Sequence, residues 1–247
     1  TMAQAYWQSE HSEQEAAFNL FFRNNPFGGG FTIACGLTDL IDYLNNLFCF
    51  DDSDIEYLST LKANDDKPLF SKDFLSSLNG FPFSCDVDAV PEGTVVFPHE
   101  PLVRVIGPII QAQILETVLL NIIGFESLIA TKAARIRIAA GEKTVLEFGS
   151  RRAQGADGAL SASRAAYIGG SDATSNVLAG KLYGIPVKGT HAHSWVMSFD
   201  DELESFKAYA QVMPNNCIFL VDTYNTLEGV KNAVSAGKWL RGKGAEL

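Results

Sequence analysis

The chain has 247 residues, 47% hydrophobic and 19% charged, a composition that suits a soluble globular protein with apolar material for one large core or two smaller ones. With 19 Lys plus Arg against 29 Asp plus Glu, its formal charge of -10 argues against nonspecific binding to nucleic acid or to anionic membranes. An anionic ligand must therefore meet a local cluster of bases. Cys35, Cys49, Cys85 and Cys217 lie far apart, without the spacing of zinc or redox sites, and are expected as reduced core residues of a cytoplasmic protein. The longest apolar stretch, 105–129, is broken by Gly107, Pro108, Gln111, Gln113, Glu116, Asn121, Gly124 and Glu126, which argues against a membrane span. No signal peptide is expected from the opening residues.

Met2-Ala3-Gln4-Ala5-Tyr6-Trp7 reads as the inside of a helix rather than its start, so a preceding segment is expected. Strands over 17–23 and 31–35 flank the Gly28-Gly29-Gly30 turn, and helices follow over 40–47 and 55–61, with Asp51-Asp52-Ser53-Asp54 as a cap. Segments 83–90, 94–97 and 102–106, separated by Pro-containing turns, predict an antiparallel meander. His11 and His99 fall in loops. Residues 111–140 predict one or two long helices, with Lys132, Arg135 and Arg137 late in the run, where they suit the helix dipole.

From residue 142 the pattern becomes strand, helix, strand, helix: strand 144–148, helix 160–168, a short strand or loop, helix 174–183, strand 187–190, helix 195–212, strand 218–222, helix 227–240. Such repetition implies parallel strands. The expected fold is α/β: an α+β amino-terminal domain over 1–141, then the first part of an α/β barrel over 142–247. Gly242-Lys243-Gly244 stops the last helix, after which a further strand is expected, so the chain is read as a fragment.

In a barrel the carboxyl ends of strands face the site, which singles out 148–152, 189–193 and 222–224. Arg151 and Arg152 offer planar donor forks for a phosphate or carboxylate, or else salt bridges with Glu147 or Asp157. Phe148 is either core or a stacking platform. Asp172 and Asp222 suit ribose hydroxyls or magnesium, or cap a helix. His191 and His193 share a face only if the strand persists through Ala192; then His-x-His with Asp222 is a metal-ligand spacing and a metal-dependent hydrolase is open. If the strand has ended, one histidine can act alone as acid, base or nucleophile, or be an ordinary hydrogen-bonded residue.

Glu147-Phe148-Gly149-Ser150-Arg151-Arg152-Ala153-Gln154-Gly155, then Gly169-Gly170-Ser171-Asp172-Ala173-Thr174-Ser175-Asn176-Val177-Leu178-Ala179-Gly180, then Gly189-Thr190-His191-Ala192-His193-Ser194 resemble nicotinate phosphoribosyltransferase in content and order. Pro26-Phe27-Gly28-Gly29-Gly30-Phe31 and Asp222-Thr223-Tyr224 extend the likeness over essentially the whole chain. The resemblance implies a partial irregular α/β barrel of the type II phosphoribosyltransferase kind. It also implies a reaction in NAD salvage: nicotinate and 5-phosphoribosyl 1-diphosphate give nicotinate mononucleotide and diphosphate, with ATP hydrolysed through a phosphohistidine and Mg2+ brought with substrate. By the same matching His193 carries the phosphoryl group, Thr190 contacts nicotinate, Phe148 stacks on it, and Arg151 meets the donor phosphates. Arg152 and Asp172 are further substrate positions, Asp222 serves ribose or magnesium, and His191 is dispensable. The family implies a homodimer. A catalytically inactive barrel module is the remaining alternative.

Overall fold

The computed structural model describes residues 1–9, 11–46 and 48–244. In chain order its first part comprises α1 (Met2–Gln8), β1 (Glu15–Leu20), β2 (Thr32–Ile33), α2 (Leu37–Asn46), α3 (Asp52–Thr60), α4 (Lys72–Leu78), β3 (Asp86–Ala89), β4 (Val95–Val96), β5 (Val103–Pro108) and α5 (Ile109–Ala140). The expected end of the second helix at Leu47, and residues 245–247, lie outside the described residues. Asp51 starts α3 through a reciprocal capping box: its side chain accepts from the Asp54 N–H at 2.9 Å while Asp54 accepts from the Asp51 N–H at 3.0 Å. Ser71 caps α4, a helix the periodicity did not announce.

The expected meander does not form. β5 is the centre of a three-stranded antiparallel sheet with β1 on one side and β3 on the other, Phe18 and Val87 both opposite Val105. β4 instead pairs with β2. The cause is the 91–93 turn, which carries the chain away from β3: the Gly93 N–H donates to Ala34 O at 2.8 Å and the Ala34 N–H to Thr94 O at 2.9 Å. Val103 and Val105 of the larger sheet bury against Leu115, Leu119 and Ile123 of α5 and Leu40 of α2. Further along α5, Thr131 and Ser127 accept the Ile33 and Cys35 N–H groups at 2.8 and 3.0 Å. Helical side chains thus satisfy backbone donors that the short β2 leaves unpaired.

By length and composition α5 could cross a membrane. In the fold it packs on both sheets and carries a buried Glu126 whose Oε2 lies 3.1 Å from a terminal nitrogen of Arg164. It ends at Gly141, whose φ of 58° suits a residue without a Cβ and whose N–H donates to Arg137 O at 3.0 Å. Next come β6 (Leu146–Glu147), α6 (Ala156–Ile168), β7 (Ala173–Thr174) and α7 (Val177–Tyr183). β6 and β7 are parallel, and Val187 adds one parallel bridge to Thr174. A Cβ on Gly169 would lie 2.3 Å from Ala130 O, so only glycine admits this approach of the α6 end to α5. The first compact unit accordingly runs from Thr1 to Val187, although the sequence pattern changes at 141–142.

The second unit begins at Lys188 and holds α8 (His193–Met197), α9 (Glu202–Val212) and α10 (Thr226–Gly242) around Val196, Phe206 and Ala236. The single helix expected over 195–212 is two, because Asp201 accepts from the Glu204 N–H at 2.9 Å and caps a new start. Among the described residues, 188–190 and 218–222 form no ladder and no barrel closes.

Candidate functional site

Leaving the carboxyl end of β6, the chain runs through Phe148 and Gly149 into a single 3-10 turn, Ser150–Arg152, with the Arg152 N–H donating to Gly149 O at 2.8 Å. Phe148 is 41% exposed, which removes the core reading and leaves an aromatic face at the surface of the unit. Arg151 and Arg152 are exposed, and among the described residues neither forms an ion pair. The two carboxylates expected as their partners are engaged elsewhere: Glu147 accepts from Gly149, Ser163 and Thr174, and Asp157 from the Gly158 N–H. Two guanidinium groups on one turn can meet a phosphate through paired donors.

Asp172 does not join them. It lies at the amino ends of β6 and β7, accepting the Val145 N–H at 2.7 Å and pairing with Arg137. The Val145 N–H and then the Arg137 guanidinium hold its carboxyl below the usual range. Within this unit Asp172 braces the strand starts, at the opposite end of β6 from Phe148.

In the second unit the two motif histidines part company. His191 is only 8% exposed and packs against Phe206, Tyr209 and Phe219. Its Nε2 accepts the Leu220 N–H at 3.3 Å and its Nδ1 faces Ala192 O at 3.3 Å, the pattern of one neutral tautomer. Burial lowers its pKa from the ordinary value. With its only ring lone pair taken by a backbone amide, His191 has none for a metal, and the His-x-His site fails because the strand does not continue through Ala192. His193, 48% exposed in its side chain, opens α8; its Nδ1 is 3.2 Å from Thr223 Oγ1 and its Nε2 3.7 Å from Asp222 Oδ1. Thr190 is exposed and donates to His191 O at 3.0 Å, which leaves its oxygen lone pairs for a ligand. Asp222, 59% exposed in its side chain, presents hard oxygen atoms next to His193.

A separate buried cluster lies in the first unit, where Cys35, Glu92 and Glu126 offer ligand atoms within 4.8 Å of one another. Arg164 already occupies it: its terminal nitrogens hold both Glu92 oxygens and reach Glu126 Oε2 at 3.1 Å. Burial alone would raise Glu92, but Arg164, the Gly36 N–H and Thr38 hold it down at about 2. Burial, followed by the nearby Asp39, pushes Glu126 up to about 8. Burial and the two carboxylates push the Cys35 thiol well above its ordinary range. All four cysteines are free thiols; Cys35 and Cys85 are buried, Cys217 is half-buried, and Cys49 is exposed rather than core.

Residues 1–124 match the family model described as the nicotinate phosphoribosyltransferase (NAPRTase) N-terminal domain. The chain belongs to the nicotinate phosphoribosyltransferase family. It is 46% identical over 240 residues to a nicotinate phosphoribosyltransferase of Mycobacterium tuberculosis, covering 97% of this chain and 50% of that protein. The crystal structure of human nicotinic acid phosphoribosyltransferase superposes with a TM-score of 0.82 at 37% identity, covering 97% of this chain and 57% of that one. A nicotinate-nucleotide pyrophosphorylase from Pyrococcus furiosus, at 24% identity and a TM-score of 0.70 over 96% of this chain and 51% of its own, shares the fold. The chain spans about half the length of the curated relatives it matches.

Within this family fold, two residues acquire places the sequence did not reveal. Glu147 is a three-way acceptor behind the arginine turn rather than a partner of the arginines. Thr223 holds His193 Nδ1 across 30 residues of sequence. Neither role has a local periodic signal, although Thr223 falls in the strand-end segment 222–224 and Glu147 opens the first motif.

Proposed function

We propose that the protein carrying this sequence is a nicotinate phosphoribosyltransferase. It joins nicotinate to 5-phosphoribosyl 1-diphosphate, giving nicotinate mononucleotide and diphosphate in NAD salvage, and couples this to ATP hydrolysis through a phosphorylated His193. It acts as a cytoplasmic homodimer. The observation that carries the reading is the exposed His193 ring with Thr223 and Asp222 at its two nitrogens, in a motif whose other histidine is buried.

The pyridine nitrogen of nicotinate forms the new bond to the ribose carbon while the bond to diphosphate breaks, and the diphosphate leaves with the electron pair. Positive character grows on the ribose carbon and negative charge on the leaving group, so donors aimed at the diphosphate lower the barrier. Arg151 and Arg152, free of ion pairs among the described residues, suit that task, and the exposed Phe148 suits stacking on the pyridine ring. Thr190 supplies a hydroxyl for nicotinate. The Asp222 carboxylate fits an ion of the magnesium type, which binds through one or two carboxylates plus substrate phosphates. Magnesium arriving with the donor would neutralise leaving-group charge. In the coupled step the terminal phosphoryl group of ATP passes to a His193 ring nitrogen and then to water, a change of charge at the site that can tighten and release ligands.

The test is acid-labile phosphate incorporation from labelled ATP into the intact protein. His193→Asn abolishes the label and uncouples nucleotide formation from ATP hydrolysis; a folded His191→Asn variant keeps it. Label retained in His193→Asn, or lost only in His191→Asn, refutes the assignment.

A further inference from the structure

The family-like segment 169–180 reaches the arginine turn through Thr174. Thr174 is completely buried and donates to Glu147 Oε2 at 2.6 Å. Ser163 of α6, 1% exposed, reaches the same oxygen at 3.0 Å. The other oxygen, Oε1, accepts the Gly149 N–H. The Glu147 carbonyl accepts from the Ser175 N–H at 3.0 Å, and Thr174 Oγ1 accepts from the Asn176 N–H at 3.0 Å. One carboxylate therefore gathers β6, β7, α6 and the first residue of the turn that presents Arg151 and Arg152. The junction is tight, since a Cβ on Gly149 would lie 2.9 Å from Glu147 Oε1.

We infer that Glu147, oriented by Thr174 and Ser163, is the positioning residue that fixes the arginine turn for the diphosphate of the phosphoribosyl donor. The inference rests on the reading of Arg151 as a donor-phosphate contact. A carboxylate suits the junction because it offers acceptor oxygens to the fixed Gly149 N–H and to both hydroxyls at once, the Ser163 hydroxyl also lying 2.9 Å from Ala159 O. A glutamine that keeps its oxygen on the Gly149 N–H turns its NH2 toward the two hydroxyls, so Thr174 and Ser163 must rotate from donating to accepting and their hydrogen bonds to Oε2 are lost. An outer partner of this kind typically changes affinity by about 10–100-fold when removed, because a small misplacement of the group it orients is amplified at the ligand.

The test uses the intact protein with inorganic diphosphate as the probe in calorimetry, alongside initial rates with each substrate varied in turn. Glu147→Gln and Thr174→Val weaken diphosphate binding by about tenfold or more and raise the KM of the phosphoribosyl donor by a similar factor, leaving the KM of nicotinate within about twofold. Thr174→Ser keeps the hydroxyl and restores the unmodified values, which a packing role of the methyl group would not allow. The double variant is no weaker than the worse single one, because both cut the same link. Folding is checked by the urea midpoint, and if Glu147→Gln fails to fold, the Thr174→Val and Thr174→Ser pair decides. Diphosphate affinity unchanged in folded Thr174→Val, or equally weakened in Thr174→Ser, overturns the inference. An unmodified protein that binds diphosphate but transfers no ribosyl group overturns the proposed reaction instead, and the diphosphate affinities still decide the role of Glu147.

Discussion

Replacing Glu126 by glutamine makes the stability of this protein depend on pH differently from that of the parent. Glu126 is 1% exposed and Arg164 gives it a single contact of 3.1 Å, whereas Glu92 receives both terminal nitrogens of the same guanidinium. Burial wins for Glu126, whose carboxyl is raised from an ordinary 4.5 to about 8. Between those values the unfolded chain has lost the proton and the native chain keeps it. The unfolded state binds fewer protons, so native stability falls as pH rises, by about 1.4 kcal/mol per pH unit. Glu92 has the opposite sign, contributing stability that is lost only as pH drops from its ordinary 4.5 toward about 2, outside this window. Glu126→Gln keeps the neutral shape and does not titrate. Its stability relative to the parent therefore rises by about 1.4 kcal/mol for each unit between pH 5 and pH 7, roughly 3 kcal/mol in all. Urea unfolding of both proteins across that range measures the difference, and groups common to both cancel. A difference that stays constant with pH would refute the reasoning, since it would mean that Glu126 is ionised in the native fold.

Arg151→Lys replaces a two-pronged donor by a point charge and raises the donor KM by about tenfold or more, read from initial rates; an unchanged value would mean that the turn does not meet phosphate. His191→Asn leaves the phosphoryl step intact but not the packing among Phe206, Tyr209 and Phe219, and strands the Leu220 N–H, at a cost of about 1–3 kcal/mol in thermal or urea unfolding. Because burial lowers the His191 pKa, that histidine also makes the native protein lose stability as pH falls below its ordinary 6.5, a loss absent from the variant.

Elements fixed by local chemistry were legible from residue types alone. The Asp51 capping box, the long α5 and the final α10 follow from caps and periodicity within a few turns. Pairings between distant strands were not. β2 and β4 are two residues each, too short for an alternation signal, and what joins them is the exchange between Ala34 and the 93–94 backbone. The site divides in the same way. Phe148, Arg151 and Arg152 follow a strand whose end could be placed, and they emerge exposed on one turn. The pairing of Asp172 with Arg137 was not legible, because a pattern does not say at which end of a two-residue strand a side chain lies and the partner is 35 residues away. The histidines separated only once the direction of the chain at Ala192 was known, for alternation along a strand ceases where α8 begins.

Acceptor choice tests the central claim most directly. The intact protein is given 5-phosphoribosyl 1-diphosphate, magnesium and ATP with nicotinate, nicotinamide and quinolinate in competition, and the nucleotide products are quantified. The account predicts nicotinate mononucleotide as the dominant product, formed with ATP consumption. Preference for nicotinamide or quinolinate, or no nucleotide from any of the three as expected of an inactive barrel module, would contradict it.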